Sequence, residues 1–158
     1  MNEAKPDMSK GIQDLGTILA SLDPELCDSQ WIFAKISTQD NDVPTTMSTV
    51  YSQDVAPIAT FLESEGLTVI VKEEEVHKLS GMSGFEYADT PFSRITLKVH
   101  SSLDAVGLTA LVSTRLTEHN ISANVVAGYF HDHFFVQASR AAGAMDILRS
   151  IATENQSK

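Results

Sequence analysis

The chain has 158 residues and carries 11 Lys and Arg against 21 Asp and Glu, a formal net charge of −10. Its few basic residues are scattered, which argues against a nucleic-acid partner, because phosphates demand clustered Lys and Arg. That length fits one ordinary domain or two small ones sharing an interface. Half the chain alone buries too little surface for firm stability, whereas two packed halves escape that limit.

Cys27 is the only cysteine, so no intrachain disulfide forms and a reducing compartment fits. Set between Glu25 and Asp28, it offers no activated-thiol environment. The opening residues Met1 to Ser9 are polar and lack the apolar core of a signal peptide. No apolar run approaches the roughly eighteen residues of a membrane span. A cytoplasmic protein without a membrane partner is the expectation.

In chain order, residues 1–10 read as a flexible tail. Gly11 to Leu22 follows a helical stripe of Ile12, Leu15, Ile18, Leu19 and Leu22, stopped by Asp23-Pro24. Gln30 to Ser37 alternates as a strand. Thr38 to Asp54 is polar and reads as a long surface loop, with room for a short strand near Met47 to Tyr51. Pro57 to Glu63 and Leu67 to Val71, joined by Ser64-Glu65-Gly66, form a hairpin. Lys72 to Leu79 is a short charged helix. Ser80 to Pro91, with two Gly and a Pro, is the best linker.

Beyond it the pattern is more regular. Ile95, Leu97 and Val99 alternate along a strand from Phe92 to Val99. Asp104 reads as the N-cap of a helix whose inner side holds Leu108, Leu111, Val112, Arg115, Leu116 and His119, with Gly107 one turn in. Ser122 to Phe130 and Phe134 to Gln137 form a second hairpin around His131-Asp132-His133. Ser139 caps a last helix with Ala141, Met145, Leu148, Ile151 and Ala152 inward. The division is therefore a tail at 1–10, a degenerate first unit at 11–84, a second unit at 92–152 and a tail at 153–158. The two units share an ending of strand, hairpin and helix. They predict an α+β fold of two ferredoxin-like units, each an antiparallel sheet with helices on one face.

Asp104 and Gly107 at a helix start, followed by Asn120-Ile121 entering the next strand, resemble the signature of the ACT domain. Val106 occupies a position where many members carry Pro. Longer phrases are similar to a bacterial tandem-ACT family of unassigned function: Ala56-Pro57-Ile58-Ala59-Thr60-Phe61, Glu65-Gly66-Leu67-Thr68-Val69, and Asn124-Val125-Val126-Ala127-Gly128-Tyr129-Phe130-His131-Asp132-His133. That family is in turn distantly similar to the CASTOR arginine sensors. The resemblance spans about Ser9 to Ala152. It implies a non-catalytic regulatory protein that binds a small molecule of amino-acid type, pairs as a homodimer and acts on a separate protein.

The residues give this expectation a mechanism. A helix's first turn carries unpartnered N–H groups and partial positive charge, where a carboxylate docks readily. Gly107 removes a Cβ that would hold a ligand or neighbouring backbone away. His100, Ser101 and Ser102 add hydrogen bonds from the strand end, and Asp104, Val106 and Leu108 complete that side. The resemblance implies an opposite wall from Asn124, Val125 and Val126 across an interface, Asn being disfavoured in a strand without a reason. Gly107 for close helix–sheet packing, Asp104 as a plain cap and the serines as loop residues are the structural counterparts of those roles.

His131 and His133 are two residues apart, but zinc asks for three or four convergent ligands, so neither a metal nor a cofactor is assigned. His77 and His119 read as helix-surface residues. Ser101, His100 and Asp132 can be drawn as a hydrolytic triad, yet no spacing specifies it and no phosphate-binding Gly motif is present. An interaction module that pairs through a sheet edge, with no small ligand, is the main alternative.

Overall fold

The computed structural model describes residues 11–39 and 42–156, and the tail expected at 1–10 lies outside them. By contact, the chain divides into an inner unit, Asp28–Ser93, and an outer unit made from its two ends, 11–27 and 94–156 among the described residues. Each is α+β and has its own buried cluster.

The inner unit takes most of β1 (Pro24–Ile36), then α2 (Val43–Ser52), β2 (Ala59–Glu63), β3 (Gly66–Lys72) and the two-residue β4 (Glu86–Tyr87). Its order is β2-β3-β1, with β4 pairing the other side of β1, all antiparallel. The register sets Ile32, Ala34 and Ile36 opposite Val71, Val69 and Leu67. These six share one face, as residues two apart on a strand must, and they are buried with Val50 of α2.

That helix corrects the loop expected at Thr38 to Asp54. Its sequence, VPTTMSTVYS, hides it: only Met47 and Val50 face the core, and most of the rest is hydroxylic. The hydroxyls bond back along the helix, Thr49 Oγ1 donating to the Thr45 carbonyl at 2.9 Å and Ser52 Oγ to Thr49 at 2.7 Å. A proline in the first turn supplies a fixed starting φ. The inner unit thus has the strand–helix–hairpin order that its sequence had concealed. The stretch read as a linker is also structured. Met82 and Phe85 pack on the core, the Ser37 N–H donates to the Ser83 carbonyl, and β4 ends it. The charged helix at Glu73–Leu79 is a 3-10 helix, with Val76 and Leu79 turned inward.

The outer unit holds α1 (Leu15–Ala20), the start of β1, β5 (Phe92–Leu97, from Arg94 onward), α3 (Leu108–Thr117), β6 (Ala123–Ala127), β7 (Asp132–Gln137) and α4 (Ala141–Gln156). Its strands run β5-β7-β6, leaving β6 at the edge. Ile95 and Leu97 of β5 and Phe134 and Val136 of β7 are buried against the helices. On α4 the buried positions Ala141, Ala144, Met145, Leu148, Ile151 and Ala152 follow three- and four-residue spacing, the inner stripe of an amphipathic helix.

Four expectations are corrected here. Helix α1 begins at Leu15, where Asp14 Oδ2 accepts from Thr17 N–H at 2.7 Å. By contact it packs with the outer unit, because Ile18, Leu19 and Leu22 complete that core. Helix α4 continues to Gln156, past the tail placed at 153–158, and Gln156 Nε2 donates to the Ala20 carbonyl. Ser139 lies inside a 3-10 turn, Ala138–Arg140, that leads into α4, and not at the cap position before it. Asp132 and His133 start β7, so the turn of the second hairpin is 128–131.

Candidate functional site

The site forms where β5 leaves its sheet and α3 begins, on the loop from Val99 to Gly107. A second segment holds this loop from below. The Ile12 N–H donates to the His100 carbonyl and the Ser102 N–H to the Ile12 carbonyl, both at 2.8 Å, so that Ile12 and Ser101 form a parallel bridge. This approach depends on Gly11, whose φ is +70° and whose missing Cβ would fall 2.6 Å from the Ser102 nitrogen.

Within the loop, Ser102 Oγ accepts from the Asp104 N–H at 3.2 Å and the Ser102 carbonyl accepts from Ala105 at 2.9 Å. The N-cap of α3 is Gly107, in the left-handed region at φ +103°, not Asp104. A local competitor decides this: Asp104 lies inside the serine-anchored turn, three residues too early. Gly107 consequently stands before the helix, where it admits Leu15 of α1 at 3.0 Å from the position of an added Cβ. No side chain caps α3, and no acidic residue lies in its first turn. Its leading N–H groups keep their partial positive charge available.

Two clefts meet at Ser101, Ser102 and Leu103. The larger, of about 260 Å³, is bounded further by Gln13, His100, Asp104 and Tyr129. The smaller, of about 80 Å³, lies against the start of α3 at Leu108 and Thr109, with Gly128 and Asp132 opposite. Asp132 is half-buried, and burial pushes its carboxyl above the ordinary carboxylate value, with a partial counter-effect from His131. Behind it, Thr96 Oγ1 and His133 Nδ1 share a 2.9 Å hydrogen bond. Burial, helped by Arg94 and His131, lowers the His133 imidazole.

The fold thus brings together His100, Ser101, Ser102, Asp104 and Leu108, with Gly107 at the helix cap. Val106 is 84% exposed and lines neither cleft. Asn124, Val125 and Val126 lie on the edge strand β6, opposite Phe135, Phe134 and His133, and line neither cleft within the unit. Gln13, Leu103 and Tyr129 escaped the sequence reading. Gln13 falls in a stretch whose spacing reads as helix from Gly11 to Leu22, while the adjacent aromatic pair Tyr129-Phe130 in a hairpin turn is the one sequence signal for that side of the cleft. Among the described residues, no three His, Cys, Asp or Glu side chains converge as metal ligands, and no helix is long and apolar enough to cross a membrane.

Two consecutive stretches, 10–88 and 91–150, each match the ACT domain. The chain belongs to the ACT-domain family. A protein of unknown function from Vibrio cholerae, described as a possible transport protein, is 42% identical, with 87% of this chain and 95% of that one covered and a TM-score of 0.70. The ligand-free regulatory subunit of aspartate kinase from Thermus thermophilus shares the ACT fold at 8% identity, covering 81% and 95% of the two chains with a TM-score of 0.65. A structure of aspartokinase alpha and beta subunits does so at 11%, 81% and 95%, with a TM-score of 0.66. No curated protein matches the chain in sequence. Tandem ACT domains are typical of regulatory modules that bind small molecules, and ACT domains often dimerise.

Proposed function

We propose that this tandem ACT protein is a non-catalytic cytoplasmic sensor of an amino acid, acting as a homodimer on a separate protein. The observation that carries this reading is the pair of joined clefts beside the uncapped first turn of α3. A ligand α-carboxylate suits the N–H groups of that turn, and an α-ammonium suits the carboxylate of Asp132 across the smaller cleft. The side chain then extends along Ser101 and Ser102 into the larger cleft. Asn124, Val125 and Val126 belong to an edge strand whose free backbone groups fit a second copy, which supplies the outer wall. Binding that favours one arrangement of the copies is a coupling free energy, and that is the regulatory output.

A thermal-shift screen of the purified protein against the twenty amino acids tests this, repeated with Asn124→Ala. One amino acid is expected to stabilise the protein, by about 2.7 kcal/mol at a hundredfold excess over Kd, and the shift is expected to fall in the variant. If no amino acid shifts the transition, the sensor reading gives way to an interaction module.

A further inference from the structure

Three aromatic rings cluster beside the larger cleft, of which His100 and Tyr129 line it and Phe130 packs against both. Tyr129 and Phe130 are 65% and 59% exposed, yet their centroids are 4.9 Å apart in an edge-to-face contact. The His100 ring lies 5.3 Å from Phe130 and 6.5 Å from Tyr129. Rings kept this accessible contribute little to the core, and their exposed faces are available to a ligand.

The charges around them have one sign. Asp104 lines the larger cleft and Asp132 the smaller, and among the described residues no Lys or Arg lines either one. An aromatic face attracts a cation placed within about 6 Å of its centroid, and a carboxylate beside it adds to the attraction. We infer that the larger cleft is a subsite for a cationic side-chain group, an ammonium or guanidinium, held against the Tyr129 ring and neutralised by Asp104, with His100 forming the adjoining wall. This rests on the amino-acid reading above and narrows its ligand class to basic side chains.

The test is isothermal titration of the intact protein with pairs matched in shape but not in charge: L-lysine against L-norleucine, and L-arginine against L-citrulline. At least one basic member is expected to bind ten times or more tighter than its neutral match. Tyr129→Leu is expected to weaken that ligand roughly 3- to 30-fold, Tyr129→Phe to stay within about 2-fold of the parent because the ring face is kept, and Asp104→Asn to weaken it and flatten its salt dependence. The conservative Tyr129→Phe guards against a loss caused by misfolding. A neutral member binding as tightly as its basic match, or Tyr129→Leu binding basic ligands unchanged, overturns the subsite and leaves the amino-acid reading standing. No binding by any amino acid overturns both.

Discussion

Gly107 and Asp132 show how single residues on this loop trade stability against openness. At φ +103° Gly107 occupies a region that an L side chain enters at a cost of about 1–3 kcal/mol. Its added Cβ meets only the end of the Leu15 side chain, which can turn aside. Gly107→Ala is therefore expected to lose about 1–3 kcal/mol in urea unfolding; a loss under roughly 0.5 kcal/mol would mean that the loop relaxes to another conformation. For Asp132 the sign follows from its raised carboxyl. A group whose value rises on folding contributes fully below the unfolded carboxylate value, near 3.9, and that contribution disappears as pH climbs through the folded value. At neutral pH the half-buried charge is a liability. Asp132→Asn is expected to raise the melting temperature of the ligand-free protein at pH 7, with the gain shrinking as pH falls towards 4. An equal gain at both pH values would remove burial of the charge as its cause. A ligand ammonium would relieve the same liability on binding.

At the scale of elements, legibility followed the strength of the apolar pattern. Strand β5 and helix α4 were readable because Ile95 and Leu97, and then Ala141, Met145, Leu148 and Ile151, repeat at the period of their structure. The inner hairpin was readable from Gly66, whose φ of +139° the turn uses. Helix α2 was not, since two inward residues among hydroxylic neighbours carry almost no periodic signal. The loop side of the candidate cleft was legible, since His100, Ser101, Ser102 and Asp104 are close in sequence and line it together. The side of Gln13 and Tyr129 was not legible, because both arrive from other elements and only the fold brings them near. Helix α1 is the sharpest example: its apolar stripe was visible, but no local pattern says which core it joins. The contacts of Ile18, Leu19 and Leu22 place it with α4. A protein beginning at Pro24 is thus expected to lose amide protection along α4, near Leu148 and Ile151, while β1 and β3 of the inner unit keep theirs. Hydrogen exchange reads this directly, and loss of protection confined to β3 would contradict it.

At the scale of the whole molecule, an order of elements nearly the same in both units coexists with a chain path that is not a simple repeat. The outer unit is assembled from two ends, and the inner one is a continuous stretch. That path has a consequence for synthesis on the ribosome. Helix α1 emerges first, but the partners that bury Ile18 and Leu19 are encoded after the whole of 28–93. At about 5–20 residues per second, the helix waits on the order of several seconds for β5, and longer for α4. The residues of the inner core, Ile32 to Leu79, have by then all left the ribosome and can begin to pair, although a stretch of that size is only marginally stable alone. Synthesis therefore delivers the parts of the inner core together, while the short apolar segment of α1 stays without its partners until β5 and α4 have been made.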